Sequence, residues 1–145
     1  MDHVLLRHGF LLFFLGLVTG FAVPAMTNPR AGLAGHLEAL MNGMFLVVVG
    51  IAWTRLRVSA RAGRLVGWLL LFGAYANWAS TTASGILGSS KGTPIAGAGF
   101  QAGPVVENAI FGTLVLVGLS MTVACGVLVT RAWRPTSASP GETAE

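Results

Sequence analysis

Four stretches of the chain are almost uninterruptedly apolar, and polar residues gather between them and toward one end of three of them. They cover about residues 8–26, 34–54, 64–88 and 105–130. A helix that crosses the hydrocarbon core of a bilayer needs roughly 20 such residues. None of the four alternates apolar with polar at period two, as a barrel strand would. The pattern therefore predicts an all-α integral membrane protein: a single four-transmembrane-helix bundle over residues 1–134, then a polar tail, PTSASPGETAE, over residues 135–145. In the first stretch Arg7 precedes the apolar run and "VPA" resembles a leader-cleavage site. The run is long for a secretory leader, so it is expected to remain as a span.

Composition sharpens this. Hydrophobic residues make up 54% of the chain and charged residues 10%, with a mean hydropathy of +0.73. Soluble domains carry about 25% charged residues, so a water-facing surface cannot be assembled here. The net charge of +4 is not a nucleic-acid signal, because the basic residues sit at span ends. Arg7, Arg55, Arg57, Arg61, Arg64, Arg131 and Arg134 fall on one side of the membrane and only Arg30 and Lys91 on the other. The positive-inside rule then places both termini and the RLRVSARAGR loop in the cytoplasm, in a multi-pass protein of the inner (cytoplasmic) membrane. That basic loop suits anionic lipid headgroups. The loop over 89–104 is Gly-rich, and is either a flexible connector or a lid. Cys125 is the sole cysteine, so no disulfide or paired-cysteine metal site is available. Gly16 and Gly20 form GxxxG, and Ala74, Ala76, Ala79 and Ala83 recur in the third span; packing inside the bundle explains both as well as oligomerisation does.

Polar groups inside a span are costly and tend to face a bundle interior or a cavity. His36, Glu38 and Asn42 lie in the outer half of the second span. Asn77, Ser80, Thr81 and Ser84 lie in the middle and outer half of the third. Glu107 and Asn108 stand near the same surface, where capping and solvation account for them. Glu38 and Asn42 are i,i+4 partners, whereas His36 points about 120° away from Asn42. Asn77, Ser80, Thr81 and Ser84 form one stripe at i, i+3, i+4, i+7. A pocket lined by Glu38, Asn42 and that stripe is expected, with His36 aimed at another neighbour and Tyr75 and Trp78 as flat walls. Any one of these residues alone has an ordinary explanation: intramembrane Asn is often interhelical glue, Trp53 suits an interface anchor, and His3 and His8 need no function.

The run NPRAGLAGHLEALMNGMFLVVVG, followed by GAYANWASTTAS, resembles the hydroxylaminobenzene mutases, which are small integral membrane isomerases. It is similar, more remotely, to the styrene oxide isomerases, which share an H-x5-N-G pattern and an A-N pair in the third span. Here these are His36, Asn42, Gly43, Ala76 and Asn77. The resemblance implies a homotrimer with heme b between subunits, the iron ligated by the histidine at the position of His36, and Asn42 lining the substrate pocket. Styrene oxide isomerases carry an active-site tyrosine four residues beyond the third-span Asn, where this chain has Thr81. That argues against an epoxide rearrangement relying on the phenol, while "HLE" and "NPR" match the mutase branch.

The implied reaction isomerises a hydroxylaminoarene, such as hydroxylaminobenzene, to a 2-aminophenol. It needs no second substrate, in keeping with a chain that has no nucleotide fingerprint. In this reading ferric heme b on His36 acts as a Lewis acid, Asn42 and Asn77 orient the NHOH group, and Glu38 carries a proton. Thr81 and Tyr75 complete the candidate catalytic set. An epoxide isomerase is the nearest alternative. A small multidrug-type transporter would keep a buried carboxylate in its first span, and this one has none. A heme-bearing anchor subunit would need a second axial ligand, such as Met41 or Met44.

Overall fold

The computed structural model describes residues 1–133; Arg134 and the tail over 135–145 lie outside the described residues. The chain forms four long helices: α1 (Asp2–Ala22), α2 (Pro29–Ala52), α3 (Ala60–Leu87) and α4 (Pro104–Ala132), with a short 3-10 turn, Val23–Ala25, after α1. Each helix outruns its apolar stretch at one end or both, because local capping rather than hydropathy sets where it stops. Asn28 caps α2: its side-chain oxygen accepts from the backbone N–H of Arg30 and Ala31, and Pro29 occupies the first helical position, where its missing N–H costs nothing. The "NPR" triplet is thus a helix start. At the far end of α3, Gly88 takes φ +70° and returns its N–H to the carbonyl of Ser84, the left-handed stop that glycine adopts without penalty.

Asp2–Ala25, Pro29–Ala52 and Pro104–Ala132 are long and apolar enough to cross a membrane, and the molecule is a membrane protein. The third helix falls short of that hydropathy although it has 28 residues. Arg61 and Arg64 occupy its start, and Asn77, Ser80, Thr81 and Ser84 its second half. It also sits differently. α1 packs on α2, α2 on α3 and α3 on α4, and α1 also touches α3. The third helix therefore touches all three others, and Ser80, Thr81 and Ser84 in its second half are buried.

Apolar side chains gain little by leaving lipid for one another, so close backbone approach must supply the packing. Glycines permit it here. A Cβ on Gly85 would lie 2.7 Å from the Cα of Gly32, and one on Gly43 2.8 Å from the carbonyl oxygen of Gly9. Gly16 meets Ala39 and Leu40, while Gly20 meets the His36 ring. Both glycines of the GxxxG pair are thus used inside the chain. Of the third-helix alanines only Ala74 is in the core, beside Leu12, Leu46 and Leu70; Ala79 is exposed. Trp53 packs on Gly63 where α2 turns toward α3. Phe10, Phe14, Phe21, Val48, Trp68, Leu119 and Val129 point outward, an apolar exterior that suits lipid.

The glycine contacts generate a direct test. Gly85→Val drives a side chain into the Gly32 backbone and should destabilise the protein by about 1–3 kcal/mol. Gly118→Val, where a Cβ meets nothing within 4 Å, should be close to neutral. Thermal unfolding of both variants in detergent, followed by helical circular dichroism, checks the contrast; equal stability would remove the packing argument.

Candidate active site

The α2–α3 seam gathers three of the polar residues. Glu38 Oε2 accepts from Asn42 Nδ2, one turn along α2, at 3.4 Å, and from Asn77 Nδ2 across the seam on α3. All three side chains are half-buried. The i,i+4 spacing on α2 thus becomes a hydrogen bond, and α3 adds the second amide.

His36 faces elsewhere. Its Nδ1 lies 2.8 Å from the carbonyl oxygen of Gly16 on α1. A carbonyl can only accept, so Nδ1 carries a hydrogen, and in the neutral ring Nε2 keeps its lone pair. The ring is half-buried at a groove of ≈ 380 Å³ lined by Leu17, Gly20, Phe21, Val23, Pro24 and Leu33. A backbone acceptor that fixes the tautomer and leaves Nε2 bare is the usual support of a metal-binding histidine. On α2, Glu38 is about 200° around the helix from His36. The exposed stripe Leu37, Met41, Met44 and Val48 runs between the two edges.

The rest of the expected pocket is arranged otherwise. Ser80, Thr81 and Ser84 are buried, and their hydroxyls donate to the carbonyls of Ala76, Asn77 and Ser80 on their own helix. This back-bonding is how a helix accommodates hydroxyls away from water, so the stripe is internally satisfied and only Asn77 reaches Glu38. Thr81 is 4% exposed and its hydroxyl is engaged 2.8 Å from the Asn77 carbonyl. Tyr75 points toward α1: its hydroxyl donates to the His8 carbonyl at 3.3 Å and lies 3.1 Å from His8 Nδ1. Trp78 stacks edge-on against Tyr75 and donates from Nε1 to Thr19 Oγ1 at 3.0 Å. His8, Tyr75, Trp78 and Thr19 are a polar clasp between α1 and α3. No sequence spacing signals it, because 67 residues separate His8 from Tyr75.

Glu107 also departs from expectation. It is 7% exposed rather than solvated, and its carboxylate accepts from the Ser89 hydroxyl and from the backbone N–H of Ser90, Lys91 and Ala102. Asn108 is exposed and accepts from Lys91 Nζ at 2.6 Å. The opposite edge of the loop is tied by Asn28 Nδ2 donating to the Ala96 carbonyl at 2.9 Å, and by Arg30 donating to that of Ala98. The 89–103 segment is therefore pinned across the N-terminal ends of α2 and α4. It makes no hydrogen bond to His36, Glu38, Asn42 or Asn77 among the described residues. An acidic residue in the first turn of a helix after a Gly-rich loop was the available signal.

Comparison with known proteins decides the kinship. The sequence profile of the styrene oxide isomerase family matches residues 1–133. The chain belongs to that family. Among its relatives, hydroxylaminobenzene mutase HabB of Ectopseudomonas oleovorans is 40% identical over 124 residues, which cover 85% of this chain and 76% of the relative. Hydroxylaminobenzene mutase HabA of the same organism is 38% identical over 111 residues, covering 76% of this chain and 82% of the relative. As a member of this family the chain is an enzyme of the isomerase class.

The carboxylate hub makes its own prediction. Glu107→Ala leaves a hydroxyl and three backbone N–H groups without their acceptor, a loss of about 1–3 kcal/mol. Trypsin should then cut after Lys91 roughly ten- to a hundredfold faster than in the parent, with Glu107→Gln intermediate. An unchanged cleavage rate would mean that the loop is held by other contacts.

Proposed function

We propose that the chain is a membrane isomerase, an intramolecular hydroxytransferase, that converts hydroxylaminobenzene-type hydroxylaminoarenes to 2-aminophenols. The observation that carries this reading is the junction of Glu38, Asn42 and Asn77 across the α2–α3 seam of a chain 40% identical to a hydroxylaminobenzene mutase. Substrate and product are isomers. The hydroxyl moves from nitrogen to the ortho carbon while a hydrogen moves the other way, so neither an oxidant nor a second substrate is needed. Asn42 and Asn77 orient the NHOH group, and the apolar faces around them keep water from the electron-poor ring.

His36 is the proposed heme b ligand. The residues present fit that group: Nδ1 is tied to the Gly16 carbonyl, Nε2 has no hydrogen-bond partner among the described residues, and the adjoining groove is apolar. Bound there, ferric heme would supply Lewis acidity toward the N–O bond. His36 and the Glu38 trio flank the exposed α2 stripe on opposite sides, which suits a homotrimer with heme at its interfaces, the ligand from one copy and the polar groups from its neighbour. In the membrane, α3 is proposed as the fourth span. Its neighbours on both flanks and its self-bonded hydroxyls lower the cost that its hydropathy implies. The basic residues around the α2–α3 turn support a reading in which that turn, and both termini, face the cytoplasm of an inner-membrane protein. Thr81, where a phenol would serve an epoxide rearrangement, favours the hydroxylamine reaction.

His36→Ala should leave the helices inserted, abolish the heme absorption of the detergent-purified protein, and reduce conversion of hydroxylaminobenzene to background. Gly20→Ala, whose new methyl would lie 2.8 Å from His36 Nδ1, should weaken both without removing either. Full activity in a heme-free His36→Ala protein would remove the cofactor from the account.

A further inference from the structure

The outward face of α3 changes character along its length. Arg61, Leu65, Trp68 and Phe72 recur at i, i+4, i+7 and i+11, which sets them in one line along the helix, and all four are exposed. Arg64 is exposed beside Arg61. The line meets a groove of ≈ 320 Å³ between α3 and α4, lined by Leu69, Phe72, Leu116, Leu119, Ser120 and Val123. Ser120 brings no free donor to it, because its hydroxyl donates to the Val117 carbonyl at 3.0 Å. From Arg61 to Phe72 the rise is about 16 Å, half of a hydrocarbon core of roughly 30 Å. Two guanidinium groups thus head an apolar strip one leaflet deep. Among the described residues no carboxylate pairs with either of them; the ion pairs there both belong to Asp2. α4 runs antiparallel to α3, with Gly73 against Ser120 and Met121, so Arg131 in its last turn comes to the same end of the seam.

We propose that the α3–α4 seam binds one anionic phospholipid, its phosphate held by Arg61 and Arg64 and one acyl chain running past Leu65 and Trp68 to Phe72 and the groove. The site rests on α3 being a membrane span, as proposed above. A guanidinium is planar and donates paired N–H groups to a phosphate, and it keeps its charge at any working pH. A zwitterionic headgroup sets an ammonium beside its phosphate, which two arginines repel, so a lipid with net negative charge is favoured. The strip does more than the diffuse attraction of the RLRVSARAGR loop, because it also fixes where a chain lies. No residue of the groove belongs to α2, whose exposed stripe is the surface proposed to meet a second copy. Lipid and second copy therefore occupy different helices.

Trp68 is 65% exposed on the strip and reports on it directly. The full-length protein is reconstituted in phosphatidylcholine vesicles in which a minor fraction of the lipid is phosphatidylglycerol or phosphatidylcholine brominated on its chains. The emission of Trp68 is taken as the difference between the parent and Trp68→Phe. Brominated phosphatidylglycerol should quench it about tenfold more effectively than brominated phosphatidylcholine at equal mole fraction. The double variant Arg61→Ala/Arg64→Ala should bring the two lipids level. Arg7→Ala/Arg55→Ala removes as many exposed arginines from elsewhere in the chain and should leave most of the preference. Equal quenching by both lipids in the parent would make the strip ordinary boundary surface and overturn the proposal. An equal loss in the two double variants would overturn it in favour of diffuse charge. Soluble glycerophosphoglycerol should not relieve the quenching; relief would assign the arginines to free phosphate compounds instead. If Trp68 is not quenched even in vesicles made wholly of brominated phosphatidylcholine, it lies outside the hydrocarbon. That distinct result removes α3 as a span, and the lipid site with it.

Discussion

Close backbone approach between α1, α2 and α3 is the constraint on which the other features depend. Lipid offers no hydrophobic reward for bringing helices together, so the gain must come from contact at short range. Gly9 against Gly43 and Gly32 against Gly85 permit that contact. Its consequences reach the polar groups directly. His36 can bond the Gly16 carbonyl because Gly20 leaves room for the ring. Glu38 can reach Asn77 because Gly35 lets α3 approach at Thr82, one turn away on α2. In the Asn42-Gly43 pair, Asn42 faces α3 while Gly43 admits α1. One sequence motif therefore serves both the site and the scaffold.

Much of this was legible in the sequence, in a particular way. Four apolar runs gave four helices, and the 100° step separated His36 from Asn42 and joined Asn42 to Glu38, because position around one helix is fixed by backbone geometry alone. What depends on two helices was less accessible. The stripe Asn77, Ser80, Thr81, Ser84 was recognisable as a face, yet only Asn77 has the length and the donors to cross to α2. The short hydroxyls found acceptors on their own helix instead. The Tyr75–His8 contact and the Glu107 hub depend on the relative rise of distant segments, which no local spacing encodes. The lower hydropathy of α3 comes in part from Ser80, Thr81 and Ser84, whose hydroxyls bond to the helix's own carbonyls.

Kinship and geometry constrain each other. Membership in the styrene oxide isomerase family is compatible with more than one rearrangement, and the relatives HabA and HabB bear the name of the hydroxylamine reaction. Thr81, whose hydroxyl is committed to the Asn77 carbonyl, offers no phenol to an epoxide rearrangement. Elsewhere the architecture accommodates either reaction: a histidine with a tied Nδ1, an apolar groove beside it and a loop pinned over the N-terminal ends of two helices.

The central claim is that the hydroxyl oxygen of the substrate is kept and moved within a site dry enough to outrun solvent. An electron-poor arylnitrogen species released to water would be trapped by it, often at the para position. The apolar faces around Glu38, Asn42 and Asn77 are the physical basis for expecting otherwise, since few polar groups there can hold water near the ring. The most direct measurement is mass spectrometry of the product formed by the purified protein from hydroxylaminobenzene in oxygen-18 water. The account predicts 2-aminophenol carrying almost none of the label. Extensive incorporation, or a para product, would show that the oxygen comes from solvent and would contradict intramolecular transfer.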